Sequence, residues 1–224
     1  RPDVINNFAA KSKPAYSWLN PNNTINTNTN GTLNIIRACN ELKIKPIILI
    51  SSTSAQYGNA LKENKSNTLI NEDVNQSPIN PYGISKCAAE NLSKLYAKHY
   101  ALDIRYARIF NTSGYGKLGD VISDFSKRVV ETKEKEIKVG NLFPLRCFLH
   151  VNDTLNALKI ILKNGLSGEA YNICSKNEYT IENILKLIGE VSGRELKPFV
   201  DDSLIRPTDE PRIIGCCQKL KDLG

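Results

Sequence analysis

The chain has 224 residues, of which 41% are hydrophobic and 24% are charged, so it is long enough for one sizeable core or for one domain with a small appendage. No apolar run approaches the roughly 18 residues of a transmembrane helix, and the net charge of +7 comes from lysines scattered among acidic residues, as in residues 131–138. This pattern favours a cytoplasmic globular protein over one with a membrane or nucleic-acid partner. A basic excess also suits an anionic small ligand.

The six cysteines include no C-x-x-C pair. In a chain of this size without a secretory signal we predict that they are reduced thiols. The adjacent pair at positions 216 and 217 has no histidine nearby, which makes a poor metal site, and no metal ligands are nominated.

Strand-like and helix-like segments alternate along the chain. A strand is predicted at Val4–Phe8 and ends in Ala9 and Ala10, and Asn20-Pro21 begins a helix that runs towards Ala38. The later predicted elements are a buried strand at 45–51, a helix that begins at Asn80-Pro81, a strand at 103–110, helices near 121–132 and 152–163, a strand at 169–174 and a helix at 181–191. This alternation predicts an α/β fold with a mainly parallel sheet.

The only glycine pattern of dinucleotide-binding type is G-x-G-x-x-G at residues 114–119. It comes too late in the chain for the first βαβ unit, and no acidic residue ends the next strand, so a substrate loop is favoured over a phosphate-binding turn. The sequence also contains no methionine and opens inside a strand-like run. We therefore expect a fragment whose phosphate loop, if the protein uses a dinucleotide, lies further towards the N terminus.

A tyrosine and a lysine stand four residues apart in the stretch "NPYGISK". In a lysine-rich chain with nine tyrosines such a pair arises by chance about once, so the pair alone proves nothing. Because Asn80-Pro81 starts a helix, however, Tyr82 and Lys86 lie one turn apart on one face. A nearby ammonium lowers a phenol pKa and prepares it for proton transfer, and the strand before it ends in hydroxyl residues that include Thr53.

Six motifs in order resemble the extended short-chain dehydrogenase/reductase family of nucleotide-sugar epimerases, dehydratases and reductases. They are "NNFAA", "NTNGT", "SSTSAQYG", "NPYGISK", "RIFNTSG" and "RPTDE". The resemblance implies catalytic roles for Thr53, Tyr82 and Lys86, the last two also touching the cofactor. It further implies cofactor contacts from Asn7, Ala9, Ala10 and Asn28, and substrate contacts from Asn111, Arg146, Arg206 and Asp209. Asn7 stands where the family usually has histidine.

The resemblance implies a Rossmann-type doubly wound parallel sheet, with its N-terminal strands missing, and a smaller C-terminal part that binds substrate. We expect residues 1–112 to carry the dinucleotide-binding half and residues 113–224 to be mainly substrate-binding, with elements that return to the sheet. The implied cofactor is NAD or NADP. The implied partner is a nucleotide sugar, and the full-length form is expected to be a homodimer.

Within the family, the C-terminal segments look most like the GDP-mannose branch, which contains the 4,6-dehydratase and the GDP-4-dehydro-6-deoxymannose reductase. Dehydratases place an acid two residues after the catalytic Ser/Thr, whereas this chain has Ala55 there. The sequence therefore favours reduction of a C4 ketone. A 4,6-dehydratase, a 4-epimerase and a non-catalytic nucleotide-sugar-binding fragment remain as alternatives.

Overall fold

The fold is taken from a computed structural model, which describes residues 1–58, 69–205 and 211–224. Its principal sheet has four parallel strands in the spatial order β1 (Val4–Asn7), β2 (Ile47–Thr53), β3 (Ile104–Ile109) and β8 (Ala170–Ile173). The remaining described strands form small sheets of two or three strands. The strand bounds are β1 Val4–Asn7, β2 Ile47–Thr53, β3 Ile104–Ile109, β4 Asn111–Ser113, β5 Glu136–Val139, β6 Leu145–Arg146, β7 Phe148–His150, β8 Ala170–Ile173, β9 Tyr179–Thr180, β10 Lys197–Val200 and β11 Arg212–Ile213.

Helices alternate with these strands, as the sequence predicts for an α/β fold. The bounds of the described α-helices are α1 Pro14–Leu19, α2 Pro21–Ile25, α3 Gly31–Glu41, α4 Pro81–Tyr100, α5 Val121–Glu131, α6 Val151–Asn164, α7 Ile181–Ser192 and α8 Gln218–Lys221. The predicted α/β class and mainly parallel sheet are confirmed.

Both faces of the principal sheet are covered, because alternate residues of β2 point to opposite sides. Ile48 and Ile50 pack with Ile36 and Ala97 of α3 and α4 in one core cluster. Leu49 packs on the other face, in a second cluster with residues of α6. This arrangement explains why the strand reads as an unbroken apolar run.

A separate core lies in the C-terminal half of the chain. Phe125 and Val129 of α5 pack against Ile137 and Val139 of β5 and against residues of α7. Strand β8 and helix α6, by contrast, belong to the principal sheet and its cover. The division at residue 112 stays a prediction.

The helix that carries Tyr82 begins where the sequence predicts. Asn80 is its N-cap and accepts a hydrogen bond from the Gly83 backbone N–H at 2.8 Å, and Pro81 occupies the first turn. The helix ends at Ala101, which adopts a left-handed conformation with φ of 50°. Its start fixes the position of Tyr82 relative to the sheet.

The helix predicted from Asn20 towards Ala38 is not one continuous α-helix. Residues Asn26–Asn30 form a π-helical segment between α2 and α3, and the Asn20 side chain makes no capping hydrogen bond. Within that segment, Asn28 is buried and hydrogen-bonds to residues outside its own helix. The interruption places this side chain between two neighbouring segments, which a regular apolar pattern does not reveal.

Candidate active site

Strand β2 ends in consecutive hydroxyl residues at the carboxyl edge of the sheet, and α4 packs its first two turns against them. The Tyr82 phenol and the Thr53 hydroxyl lie on the same cavity wall, and the hydroxyl acts to lower the pKa of the phenol. The Lys86 ammonium donates to the backbone oxygen of Ser51 at 2.7 Å and to its hydroxyl at 3.1 Å. The structure thus brings the three predicted catalytic residues together, and it shows Ser51, one of the hydroxyl residues expected at this strand end, as the partner of Lys86.

Burial governs the ionisation of both titratable members of this set. It raises the pKa of the Tyr82 phenol, while the neighbouring Thr53 hydroxyl lowers it in part. Burial also lowers the pKa of the Lys86 ammonium to about 8. The prediction that Lys86 holds the phenol pKa below its ordinary value is wrong for the chain by itself, since desolvation dominates and the ammonium is directed to Ser51.

A cavity of about 660 Å³ opens over these side chains, and it is called the larger cavity below. Its wall includes Thr53, Tyr82 and Lys86. Among the described residues that line it, the charged side chains are Lys86, Lys117 and Arg146, all of them cationic. The volume lies within the usual range for small-molecule sites, and the charge suits an anionic ligand.

A second cavity of about 560 Å³ adjoins the larger one and shares Pro14, Asn111 and Arg146 with it. Asn111 donates from its amide nitrogen to the backbone oxygen of Cys147 at 3.2 Å, which fixes its side chain at this junction. Two of the predicted substrate-binding residues therefore lie where the cavities meet. The other two, Arg206 and Asp209, lie outside the described residues.

The residues nominated for cofactor contact have different places. Ala10 lines the larger cavity, whereas Ala9 is exposed and is not part of its wall. Asn7 is 7% exposed and donates to the Thr32 hydroxyl at 3.0 Å. Asn7 therefore holds the end of β1 against α3 and does not itself reach the cavity wall.

Asn28 likewise directs its side chain to protein groups. Its side-chain oxygen accepts from the Lys11 backbone N–H at 2.8 Å, and its amide nitrogen donates to the Lys11 backbone oxygen and to the Ser85 hydroxyl. The segment at residues 8–12, which contributes Phe8, Ala10 and Ser12 to the larger cavity, is thereby tied to the helix that carries Tyr82. Direct cofactor contact by Asn28 stays a prediction.

The G-x-G-x-x-G segment at 114–119 follows β4, which pairs with β7 in a small sheet and not with the principal one. Lys117 lines the larger cavity and Gly119 the second one. A Cβ on Gly114 would lie 2.6 Å from a Val151 methyl carbon, so this glycine is required by close packing. The segment therefore borders the two cavities and does not open the first βα unit, and its role as a substrate loop stays a prediction.

Ala55, the position of the acid in dehydratases, lies in the short 3₁₀ turn that follows β2. Its backbone N–H donates to the Thr53 hydroxyl at 3.3 Å. The neighbouring Gln56 is fully buried and points away from the larger cavity, towards Glu90. Neither side chain brings a carboxyl group to the wall beside Thr53.

Among residues 1–58, 69–205 and 211–224, the structure contains no group of three or more histidine, cysteine, aspartate or glutamate side chains suited to hold a metal ion. No helix within those same ranges is long and apolar enough to cross a membrane.

Known proteins resemble the chain over its whole length. The sequence model described as GDP-mannose 4,6 dehydratase matches residues 1–224. The GDP-6-deoxy-D-mannose reductase of Pseudomonas aeruginosa is 28% identical over 226 residues, which cover 99% of this chain and 73% of that protein. The GDP-6-deoxy-D-talose 4-dehydrogenase of Aggregatibacter actinomycetemcomitans is 29% identical, with coverage of 98% and 72%.

The structure of the protein RMD from Pseudomonas aeruginosa, complexed with NADPH, superposes with a TM-score of 0.90 at 27% identity. The match covers 99% of this chain and 74% of that one. The parallel sheet and its helical layers are thus those of a Rossmann-type dinucleotide-binding enzyme. The chain belongs to the GDP-mannose 4,6-dehydratase family, which confirms the resemblance seen in the motifs.

The residues at the edge of the sheet fit the nicotinamide half of a dinucleotide. A lysine ammonium, a phenol and several hydroxyls line the larger cavity at the carboxyl end of a parallel strand, where such ligands bind. Lys86 and Tyr82 are the side chains suited to hold that half.

Proposed function

We propose that this protein is an NAD(P)-dependent reductase that acts on the C4 ketone of a GDP-linked 4-keto-6-deoxy-hexose. The observation that carries the proposal is the Thr53–Tyr82–Lys86 set on a cavity whose described charged residues are all cationic. Ketone reduction needs one proton donor and one polarising group, and this wall supplies both. The names of the two curated relatives, which both contain GDP-linked 6-deoxy sugars, support the substrate class.

Tyr82 is the proton donor in this proposal. Because burial keeps the pKa of its phenol above the ordinary value, the phenol stays protonated at neutral pH and can give its proton to the ketone oxygen. Thr53, which lies on the same cavity wall as that phenol, polarises the same carbonyl. Lys86, anchored on Ser51, holds the nicotinamide ribose, and a bound dinucleotide supplies the hydride.

The second cavity is proposed to hold the nucleotide part of the substrate. It joins the larger cavity at Asn111 and Arg146, and a guanidinium at this junction would suit the diphosphate of a nucleotide sugar. Arg206 is proposed to bind the diphosphate and Asp209 the ribose. The preference for guanine over other bases rests on the family and on the two GDP-named relatives.

A 4,6-dehydratase is the second candidate, because the family as a whole carries that description. Elimination of water needs an additional proton carrier beside the catalytic Thr. The chain has Ala55 at that position, and Asp and Glu are missing from the described wall of the larger cavity. These two facts favour reduction, and they leave a 4-epimerase or a non-catalytic nucleotide-sugar-binding module as further outcomes of the test.

The proposal is tested with protein expressed from the complete reading frame. With NADPH or NADH, a GDP-linked 4-keto-6-deoxy-hexose should cause loss of reduced-nicotinamide absorbance, and the dTDP-linked analogue should react much more slowly. A Tyr82→Phe variant is the control for contaminating reductases. No oxidation of either cofactor, together with measurable sugar-nucleotide binding, would instead support the binding module.

We also propose that the protein forms a homodimer in the cytoplasm. Trp18 and Leu19 of α1 and Leu95 of α4 are large apolar side chains left exposed on the helical layer. All six cysteines are free thiols, as is usual in a reducing compartment. Size-exclusion chromatography with light-scattering detection measures the molar mass and so distinguishes a dimer from a monomer. The Leu95→Glu variant should shift the mass towards that of the monomer.

A further inference from the structure

Helix α4 carries a third polar side chain on the stripe that begins with Tyr82 and Lys86. Glu90 follows Lys86 by one more turn, and it is fully buried. It is not part of the wall of the larger cavity, so it has no access to substrate. The Ser52 hydroxyl donates to its carboxylate at 2.7 Å. Ser52 lies between the partners of Lys86 and Tyr82 on β2, so the helix and the strand are joined by three successive polar contacts.

The Glu90 carboxylate also accepts hydrogen bonds from a neighbouring strand, from its own helix and from the segment before that helix. Arg108 of β3 donates at 2.6 Å from one guanidinium nitrogen and at 3.3 Å from another. Lys94 donates at 2.8 Å from the next turn of the same helix, and Gln76 donates at 3.3 Å. Burying a carboxylate costs several kcal/mol unless such donors compensate for it. The group is therefore held ionised and in one place.

A short path leads from this carboxylate to Thr53. The Gln56 amide nitrogen donates to Glu90 at 3.0 Å, and the Gln56 side-chain oxygen accepts from the Thr53 backbone N–H at 2.9 Å. Gln56 is fully buried and has no contact with the larger cavity. Glu90 thus touches the strand through Ser52 and the turn through Gln56, and it shares a helix with Tyr82.

We infer that Glu90, acting through Gln56 and Ser52, is a positioning residue that sets the position of Thr53 relative to Tyr82. This inference rests on the proposed function for its kinetic consequence. The geometric consequence does not depend on any substrate. A buried ion pair that served stability alone would not need an amide linking it to the backbone of a catalytic residue.

Another carboxylate–arginine pair in the same sheet provides a matched control. Asp103 pairs with Arg105 through two contacts of 3.0 and 2.7 Å, and Arg105 is 8% exposed. Asp103 precedes β3, so it lies at the opposite end of the strand from the larger cavity. Asp103→Asn removes a carboxylate from an arginine of this sheet, as Glu90→Gln does, without touching the path to Thr53.

The test compares Glu90→Gln, Gln56→Leu and Asp103→Asn in protein from the complete reading frame. Gln56→Leu retains the Glu90–Arg108 pair and removes only the link, so it remains informative if Glu90→Gln does not fold. Each variant also receives a fluorotyrosine at position 82, whose fluorine NMR resonance reports the surroundings of the phenol without cofactor or sugar. Thermal unfolding is measured on the same samples.

We expect Gln56→Leu to shift the fluorine resonance and to lower kcat by about tenfold to a hundredfold, since small displacements of reacting groups have effects of that size. The KM for the sugar nucleotide should change much less, because the cavity wall is unaltered. Asp103→Asn should leave both the resonance and kcat unchanged even if its melting temperature falls. An unchanged resonance in Gln56→Leu, or equal losses of kcat in Gln56→Leu and Asp103→Asn, would overturn the inference. A wild-type protein that reduces no keto sugar would refute the proposed function, and the fluorine resonance would still decide the positioning role.

Discussion

Tyr82 is deeply buried beside the Thr53 hydroxyl, and both features affect the pKa of its phenol. Desolvation disfavours phenolate, so the pKa is raised, and the Thr53 hydroxyl offsets only part of that effect. A group that stays protonated at neutral pH is suited to give a proton to a ketone oxygen. The ionisation state therefore agrees with the proposed reductive direction.

Replacing this phenol with an apolar ring of the same shape should remove the proton donor and little else. We expect Tyr82→Phe to lower kcat by about 10²–10⁴, the usual range for one positioned acid, while sugar-nucleotide binding is retained. Steady-state kinetics and calorimetric titration on the same protein measure the two quantities. A variant with near wild-type kcat would show that another group donates the proton.

Glu90 should make stability depend on pH in a defined direction. Burial by itself would raise its pKa, but the hydrogen bonds and charges of Arg108 and Lys94 lower it to about 2 from an ordinary value of 4.5. As the pH falls, the Glu90 carboxylate is therefore protonated at a lower pH in the folded state than in the unfolded state. The stabilisation, on the order of 3 kcal/mol, is fully present above the ordinary value and is lost as the pH falls towards 2.

This dependence is measured as the difference in free energy of unfolding between wild type and Glu90→Gln. We expect this difference to stay constant between about pH 6 and about pH 7 and to shrink steadily below about pH 4.5. Urea unfolding at several pH values gives the curve. A difference that grows on acidification would show that Glu90 is already protonated in the folded protein.

At the scale of the element, the distance between α4 and the turn after β2 depends on one glycine. A Cβ on Gly83 would lie 2.6 Å from the backbone oxygen of Ala55 and 2.9 Å from the Pro78 side chain. Both are closer than real Cβ contacts, and the nearer one is to backbone. Only glycine lets this helix start approach the turn beside Thr53.

Gly83→Ala should therefore push the helix start away from the turn, lowering both the melting temperature and kcat. Gly31→Ala is the matched control, because its Cβ would meet only the Asn26 backbone oxygen, at 3.9 Å. In a helix that change should raise stability by about 0.5–1 kcal/mol. Equal effects of the two substitutions on kcat would argue against close packing at Gly83.

The elements that the sequence predicted well are those whose signal is local. The cap at Asn80 and the proline after it are adjacent in the sequence, and the apolar run of β2 is equally local. That strand nevertheless extends to Thr53, beyond the predicted end at Ser51, because its polar end still pairs with β3. Short strands such as Asn111–Ser113 exist only through a partner far away in the chain, so no local pattern announces them.

The candidate site likewise contains residues that the sequence predicts and contacts that it does not predict. Thr53, Tyr82 and Lys86 follow from motif spacing, and the structure brings them together. The Glu90 network does not follow, because its donors Ser52 and Arg108 are 38 and 18 residues away. Asn7 and Asn28 were predicted to touch a cofactor, but the structure shows what they bond within the protein.

At the scale of the whole molecule, β1 lies at one edge of the described sheet, and its far side has no strand partner within residues 1–58, 69–205 and 211–224. Val4 and Phe8 at this edge are 42% and 46% exposed. Unpaired edges with apolar side chains promote association between chains, and charged residues on the edge oppose it.

Asn6→Lys places a charge on this edge at an exposed position of β1. In the 224-residue polypeptide we expect it to reduce aggregation on heating with little change in melting temperature. Asn177→Lys adds the same charge at an exposed position outside the sheet and should have a smaller effect. Light scattering during a thermal ramp measures both, and equal protection by the two lysines would assign the effect to net charge alone.

The central claim is that the larger cavity reduces a ketone and does not eliminate water. Its most direct test is the mass of the product when protein from the complete reading frame is incubated with reduced nicotinamide cofactor and, in separate reactions, with GDP-mannose and with a GDP-linked 4-keto-6-deoxy-hexose. We predict that the keto sugar gains two hydrogen atoms and that GDP-mannose is unchanged. Loss of one water from GDP-mannose at an enzymatic rate, without reduction of the keto sugar, would contradict the assignment and identify a dehydratase.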